Sequence, residues 1–314
     1  MSQKYASNTA FFFIALLTGA VLSFVVSANA ADLAFSEVLG SRETPLNVVE
    51  AGSPDGTEIL FIHGVSQSYL SWKEQLNADE LQGFRMVAFD LRGHGNSAKP
   101  WKSEDYDDGK IWADDVDAVI TAKKLTRPVI VAWSYGGIVL MDYIRHHGTA
   151  NIAAIHLVAN TAALINRIED PKPGDEALMQ QMIANQVRQQ SPDIEKNIAS
   201  VKFAAPLLTE ANLGDAWRQD AFMVTMMTPS YVRRALAGRK IDNKDIAGSL
   251  NDVSVLLSYG SKDGSVTDPM AAAFRSAYRQ TIISKYDGIG HSPFAEDTKR
   301  FNAELVEFIN SIAR

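Results

Sequence analysis

The chain contains no cysteine. That absence rules out disulfides, a thiolate nucleophile, Cys-ligated metal and lipid attachment to an N-terminal Cys. Basic clusters are missing too. Lys and Arg number 30 against 37 acids, the net charge is −7, and no Lys/Arg-rich run occurs. Nothing here marks a nucleic-acid surface. Nor is there an apolar run long enough to cross a bilayer, which takes roughly 20 residues. Phe11 to Val26 is apolar or small but falls short of that. Lys4 precedes it, and Ala28-Asn29-Ala30 follows with a small-x-small pattern. Residues 1–30 therefore read as a signal peptide cleaved after Ala30, giving a secreted or periplasmic protein with no stable membrane insertion. Removing Lys4, the only charge in that segment, takes the net charge from −7 to −8.

What is present is a large α/β pattern, with 46% hydrophobic residues over 314 positions. Asp32–Val38 and Leu46–Ala51 read as an N-terminal hairpin. Apolar runs at 58–62, 84–89, 129–131, 152–158, 253–259 and 281–286 read as further strands. Helical spacing separates several of them, as in Ile111–Leu125. Such alternation argues a mostly parallel sheet covered on both faces. Asp114, Asp115 and Asp117 on that helix read as a solvated face rather than a metal cluster. From Asn160 to about Leu250 the strands stop, and helices punctuated by proline take over. This is a helical insertion in which Met179, Met182, Met223, Met226 and Met227 either serve a lid over an apolar pocket or form ordinary helix core. Ser292 as N-cap, followed by Pro293 at the first helical position, opens the last helix, whose stripe is Phe301, Leu305, Phe308 and Ile312.

The chemistry centres on Val129-Ile130-Val131-Ala132-Trp133-Ser134-Tyr135-Gly136-Gly137. A buried strand ends at a serine between small residues, and a helix follows. In so sharp a turn the residues two before and two after the serine crowd together, here Ala132 and Gly136. The hydroxyl is left exposed at the sheet end, with helix N–H groups aimed at whatever it attacks. A serine needs a base and a group to orient that base. Asp263 and His291 both lie in turns after strands, on the same sheet edge as Ser134, in the chain order Ser, Asp, His. His94 is the rival base and Asp268 the rival acid. Asp252 precedes its strand and falls at the wrong edge. His63, His146, His147 and His156 read as structural. The backbone N–H groups of Tyr135 and Val65 are the expected oxyanion donors. Trp133 and Tyr135 flank Ser134, where they either line the pocket or pack beneath it.

These pieces together resemble the α/β-hydrolase fold family. The matching letters are His63-Gly64, Trp72, Asp90-x-Arg92-Gly93-x-Gly95-x-Ser97, Ala132-x-Ser134-x-Gly136-Gly137, Gly260-x-x-Asp263 and Gly290-His291. Ala132 departs from the usual glycine. The resemblance implies an eight-stranded, mostly parallel sheet with helices on both faces, a core of 31–160 and 251–314, and a helical cap at 161–250. It is similar to the branch of cofactor-free haloperoxidases, small-molecule esterases and carbon–carbon bond hydrolases. Dehalogenases and epoxide hydrolases of this fold use an aspartate nucleophile, which Ser134 disfavours. The expected activity is cleavage of a small carboxylic ester or related acyl compound, requiring no metal or organic cofactor. The alternatives are haloperoxidase or perhydrolase chemistry, carbon–carbon hydrolysis, and a catalytically silent binder on the same fold.

Overall fold

Parallel strands buried on both faces carry apolar residues at every position, because helices cover both sides of the sheet. The strand Val129–Trp133 is of this kind: all five side chains are buried. A computed structural model of the protein describes residues 32–168 and 175–312. The segment read as a signal peptide lies outside the described residues. Eight strands form one sheet: β1 (Ala34–Leu39), β2 (Pro45–Gly52), β3 (Glu58–Ile62), β4 (Arg85–Phe89), β5 (Val129–Trp133), β6 (Ala154–Val158), β7 (Ser254–Gly260) and β8 (Thr281–Tyr286). Their order across the sheet is β1-β2-β4-β3-β5-β6-β7-β8. β2 runs antiparallel to both β1 and β4, and every other pairing is parallel. β1 is an edge strand and leaves Phe35 and Leu39 exposed.

Each face of the sheet has its own apolar core. On one, the helices Gly109–Ala122 and Tyr135–His147 bring Trp112, Val116, Leu140 and Ile144 against Ile130 and Leu157. On the other, Phe61, Phe294 and Phe301 gather around Trp72, and Leu305 and Phe308 extend the cluster along the helix Thr298–Ile312. Parallel register aligns the strand ends: Trp133 pairs with Val158, Val158 with Ser258, and Gly260 with Tyr286. The turns after β5, β7 and β8 therefore open on one edge of the sheet, where ligands of such folds collect.

Among the described residues, four α-helices lie between β6 and β7, Asp175–Gln189, Ile194–Ala204, Gly214–Met226 and Ser230–Ala237, and no strand. Residues 169–174 lie outside the description. Met182 and Met223 face solvent, and Met226 packs beside Val201, Ala205 and Ala221; the side chain of Met179 lies outside the described residues.

Two local expectations change. The last helix is broken. A single turn, Pro293–Glu296, stops at Asp297, and Thr298–Ile312 follows. Ser292 stands at the N-cap position of that turn, but its hydroxyl makes no capping bond and donates instead to Leu208 O at 2.7 Å. Asp115 is not on a solvated face either. It is fully buried and holds Arg92, also fully buried, through two hydrogen bonds of 2.6 and 2.7 Å. A bidentate guanidinium–carboxylate pair is what makes such burial tolerable.

Candidate active site

Ser134 stands between β5 and the helix Tyr135–His147 with φ +53° and ψ −119°. A non-glycine residue held there is strained, and such strain concentrates at functional sites. The surroundings enforce the turn. A methyl on Gly136 would lie 2.5 Å from Ile62 O and 2.8 Å from His63 O, so only glycine lets the helix start this close to the end of β3. A methyl on Gly137 would lie 2.0 Å from Asn160 Oδ1. Asn160 Nδ2 donates to Ala132 O at 3.1 Å and Val158 O at 2.9 Å, pinning the turn from the end of β6. Sequence reasoning missed Asn160. Its side chain reaches across the sheet, and no local pattern signals that.

The structure brings Ser134, His291 and Asp263 together. His291 Nε2 lies 2.9 Å from Ser134 Oγ, and His291 Nδ1 lies 2.9 Å from Asp263 Oδ2. Burial pulls the imidazole pKa down, but the charge and hydrogen bond of Asp263, with Glu296 beyond, hold it above the ordinary value. Burial likewise pushes Asp263 up, and His291 and the Ser265 hydrogen bonds outweigh it, leaving the carboxyl below its ordinary range. A hydroxyl, a ring and a carboxylate in this sequence can pass the hydroxyl proton to the ring while the carboxylate fixes the tautomer.

The loop carrying His291 is tied on both sides. Trp133 Nε1 donates to His291 O at 2.9 Å. Glu296 accepts four backbone N–H bonds: from Gly290 at 3.0 Å and Ser292 at 3.4 Å, and from Glu210 at 2.8 Å and Ala211 at 2.9 Å. One carboxylate thus joins the His291 loop to the helical segment between β6 and β7. Gly290 is small because Glu210 N crowds it, a methyl there falling 2.6 Å away. The sequence singled out neither Glu296 nor Ser265.

The rivals are engaged elsewhere. His63 Nε2 accepts from Leu91 N–H at 2.9 Å, so its Nδ1–H donates to Gly64 O at 2.7 Å. His94 is fully buried, with Nδ1 2.8 Å from Arg92 O. Asp268 accepts from Tyr259 Oη at 2.8 Å and Lys285 Nζ at 2.7 Å. The Tyr135 ring packs against the core. Its hydroxyl accepts from Arg239, whose other arm donates to Asp142 at 2.7 Å, and its ring meets Trp112 edge-on. The Tyr135 and Val65 N–H groups have no hydrogen-bond partner among the described residues. Gly64, just before Val65, abuts the serine: a methyl on it would lie 3.2 Å from Ser134 Cβ.

A cleft between the sheet-end loops and the helical segment is lined by Leu70, Trp133, Leu208, Trp217, Ser292 and Phe294; Trp133 and Ser292 are the chain neighbours of Ser134 and His291, but neither Ser134 nor His291 lines it. Trp133 both packs on Phe294 and lines this cleft. Lys73 and Asp220, also in its lining, form an ion pair of 2.8 Å.

Comparison with known proteins agrees with this architecture. Residues 58–298 match the α/β-hydrolase fold family. The structure of a putative aryl esterase from Burkholderia cenocepacia aligns over 89% of this chain and 99% of its own, with a TM-score of 0.79 and 29% identity. The esterase RhEst1 from Rhodococcus sp. ECU1013 aligns over 88% of this chain and 99% of its own, with a TM-score of 0.77 and 30% identity. Non-heme chloroperoxidase CPO-A1 of Kitasatospora aureofaciens is 27% identical over 81% of this chain and 93% of its own. The chain belongs to the α/β-hydrolase fold family and is a hydrolytic enzyme.

Proposed function

We propose that the protein is a serine esterase acting on small carboxylic esters that carry an apolar group. The observation that carries this reading is the unbroken hydrogen-bonded line from Ser134 Oγ through His291 to Asp263, each step 2.9 Å. Ser134 Oγ attacks the ester carbonyl as His291 Nε2 takes its proton. The alcohol leaves with that proton, and an acyl-enzyme remains. Water, deprotonated by the same nitrogen, then attacks the acyl carbon and releases the acid. The tetrahedral oxyanion in each half is held by the Tyr135 and Val65 N–H groups. The cleft that shares Trp133 with the serine turn carries Leu70, Leu208, Trp217 and Phe294 alongside the charged Lys73, Glu74 and Asp220, and its apolar side supports a substrate with an apolar group. The helices between β6 and β7 serve as the cap over it. The N-terminal segment directs the protein to the periplasm or out of the cell.

A second reading is favoured by the chloroperoxidase relative. Hydrogen peroxide in place of water would open the same acyl-enzyme to a peracid. Peracid release from an ester and peroxide distinguishes the two outcomes of one intermediate.

Labelling of the purified protein by a fluorophosphonate, with ester turnover measured in parallel, tests the proposal. Ser134→Ala abolishes labelling, and Ser134→Ala or His291→Ala lowers turnover by at least ~10³-fold. A loss under tenfold in either variant, or a wild type that never labels, rejects it.

A further inference from the structure

Asp263 is followed two residues later by Ser265, whose hydroxyl sits inside the line just described. Ser265 Oγ lies 2.6 Å from Asp263 Oδ2, 3.2 Å from His291 Nδ1 and 2.9 Å from Ala159 O. Its backbone N–H also donates to the other carboxylate oxygen, Asp263 Oδ1, at 2.9 Å. Ser265 therefore grips both oxygens of the carboxylate, one through its main chain and one through its side chain.

The hydroxyl has one proton. At 2.6 Å from an ionised carboxylate, two facing lone pairs would repel, and a charge-assisted bond is the stronger of those on offer. The proton therefore goes to Asp263 Oδ2, the same oxygen that accepts Nδ1–H from His291. Ala159 O, just past the end of β6, lies 2.9 Å from the hydroxyl oxygen and is the lesser acceptor of the same proton. Two donors now share one oxygen. Each takes part of its negative charge, so the serine tempers the pull that Asp263 exerts on the imidazole.

We infer that Ser265 is a positioning residue that holds the Asp263 carboxylate against His291 and sets how basic the imidazole is. This rests on the esterase reading for its activity readout but not for its spectroscopic one. The charged groups facing the His291 ring are Asp263, from the turn after β7, and Glu296, from the helical turn Pro293–Glu296. Removing the Ser265 hydroxyl leaves more charge on Oδ2, which favours the imidazolium.

The test is a 15N NMR titration of the His291 ring in the full mature protein, with Ser134→Ala as the common background, and the pH profile of kcat/KM for p-nitrophenyl acetate with Ser134 intact. Ser265→Ala is expected to raise the His291 midpoint by roughly half a pH unit or more. The acid limb of kcat/KM moves up with it, and the plateau falls about tenfold with KM unchanged. Ser265→Thr, which keeps the hydroxyl, stays within about threefold of the wild type. Where Ser265→Ala does not fold, Ser265→Cys, a weak donor of similar size, is expected to shift in the same direction. A Ser265→Ala or Ser265→Cys titration that coincides with the wild type overturns the inference. An unlabelled, inactive wild type overturns the esterase reading alone, because the ring titration is read without turnover.

Discussion

Replacing His156 with glutamine isolates one of the forces that set the acid stability of this fold. His156 sits within β6, fully buried, with Nε2 2.8 Å from Ser258 Oγ and its ring stacked on Phe301 at 5.0 Å. Burial pulls its pKa from 6.5 down to about 3. The folded ring stays neutral at pH 5, while the unfolded one is charged there. Its contribution is present above pH 6.5 and is lost as the pH falls towards 3, because the unfolded state then binds the extra proton. Between pH 7.5 and 5 that single proton removes about 2 kcal/mol of stability. In His156→Gln the amide still reaches Ser258, and no group titrates. The variant is weaker at pH 7.5 by about 1–3 kcal/mol, from the lost ring packing. It then loses about 2 kcal/mol less than the wild type on going to pH 5, since every other titrating group cancels in the difference. Urea unfolding followed by tryptophan fluorescence at a series of pH values measures both numbers. Parallel curves for the two proteins would refute the claim that a buried neutral imidazole carries this share of the acid sensitivity.

Two further outcomes follow from the same geometry. Glu296→Gln leaves two of four backbone N–H groups facing an amide donor instead of an acceptor, and is expected to cost about 1–3 kcal/mol in urea unfolding. Removing that negative charge also lowers the His291 pKa, so the acid limb of kcat/KM moves to lower pH, opposite to Ser265→Ala; an unmoved or raised limb counts against it. Arg92→Met strands the buried Asp115 carboxylate without its guanidinium, and a loss of about 3–5 kcal/mol is expected by the same unfolding assay, a loss under 1 kcal/mol being contrary.

Much of the arrangement was legible because it is local. A strand, a serine between small residues and a helix are contiguous, and the steric reason for Gly136 is the same in the sequence and in the structure. Asp263 and His291 were legible because each lies in the turn that follows a strand of the parallel sheet, and parallel register places such turns on one edge. The reading went astray where side chains act across the fold. Asp115 looked like one of three exposed acids until Arg92, from the turn after β4, was found against it. Ser292 looked like a helix cap until Leu208 O claimed its hydroxyl.

The sequence by itself determined the class of sheet, the strained serine turn and the order of the three polar groups, since periodicity, small residues and strand ends are written in neighbouring letters. Only the tertiary structure decided that Asn160, Ser265 and Glu296 hold those groups in place. Each acts through hydrogen bonds to segments distant in the chain or through a turn geometry that spacing does not encode, and such contacts exist only once the sheet has brought its edge together.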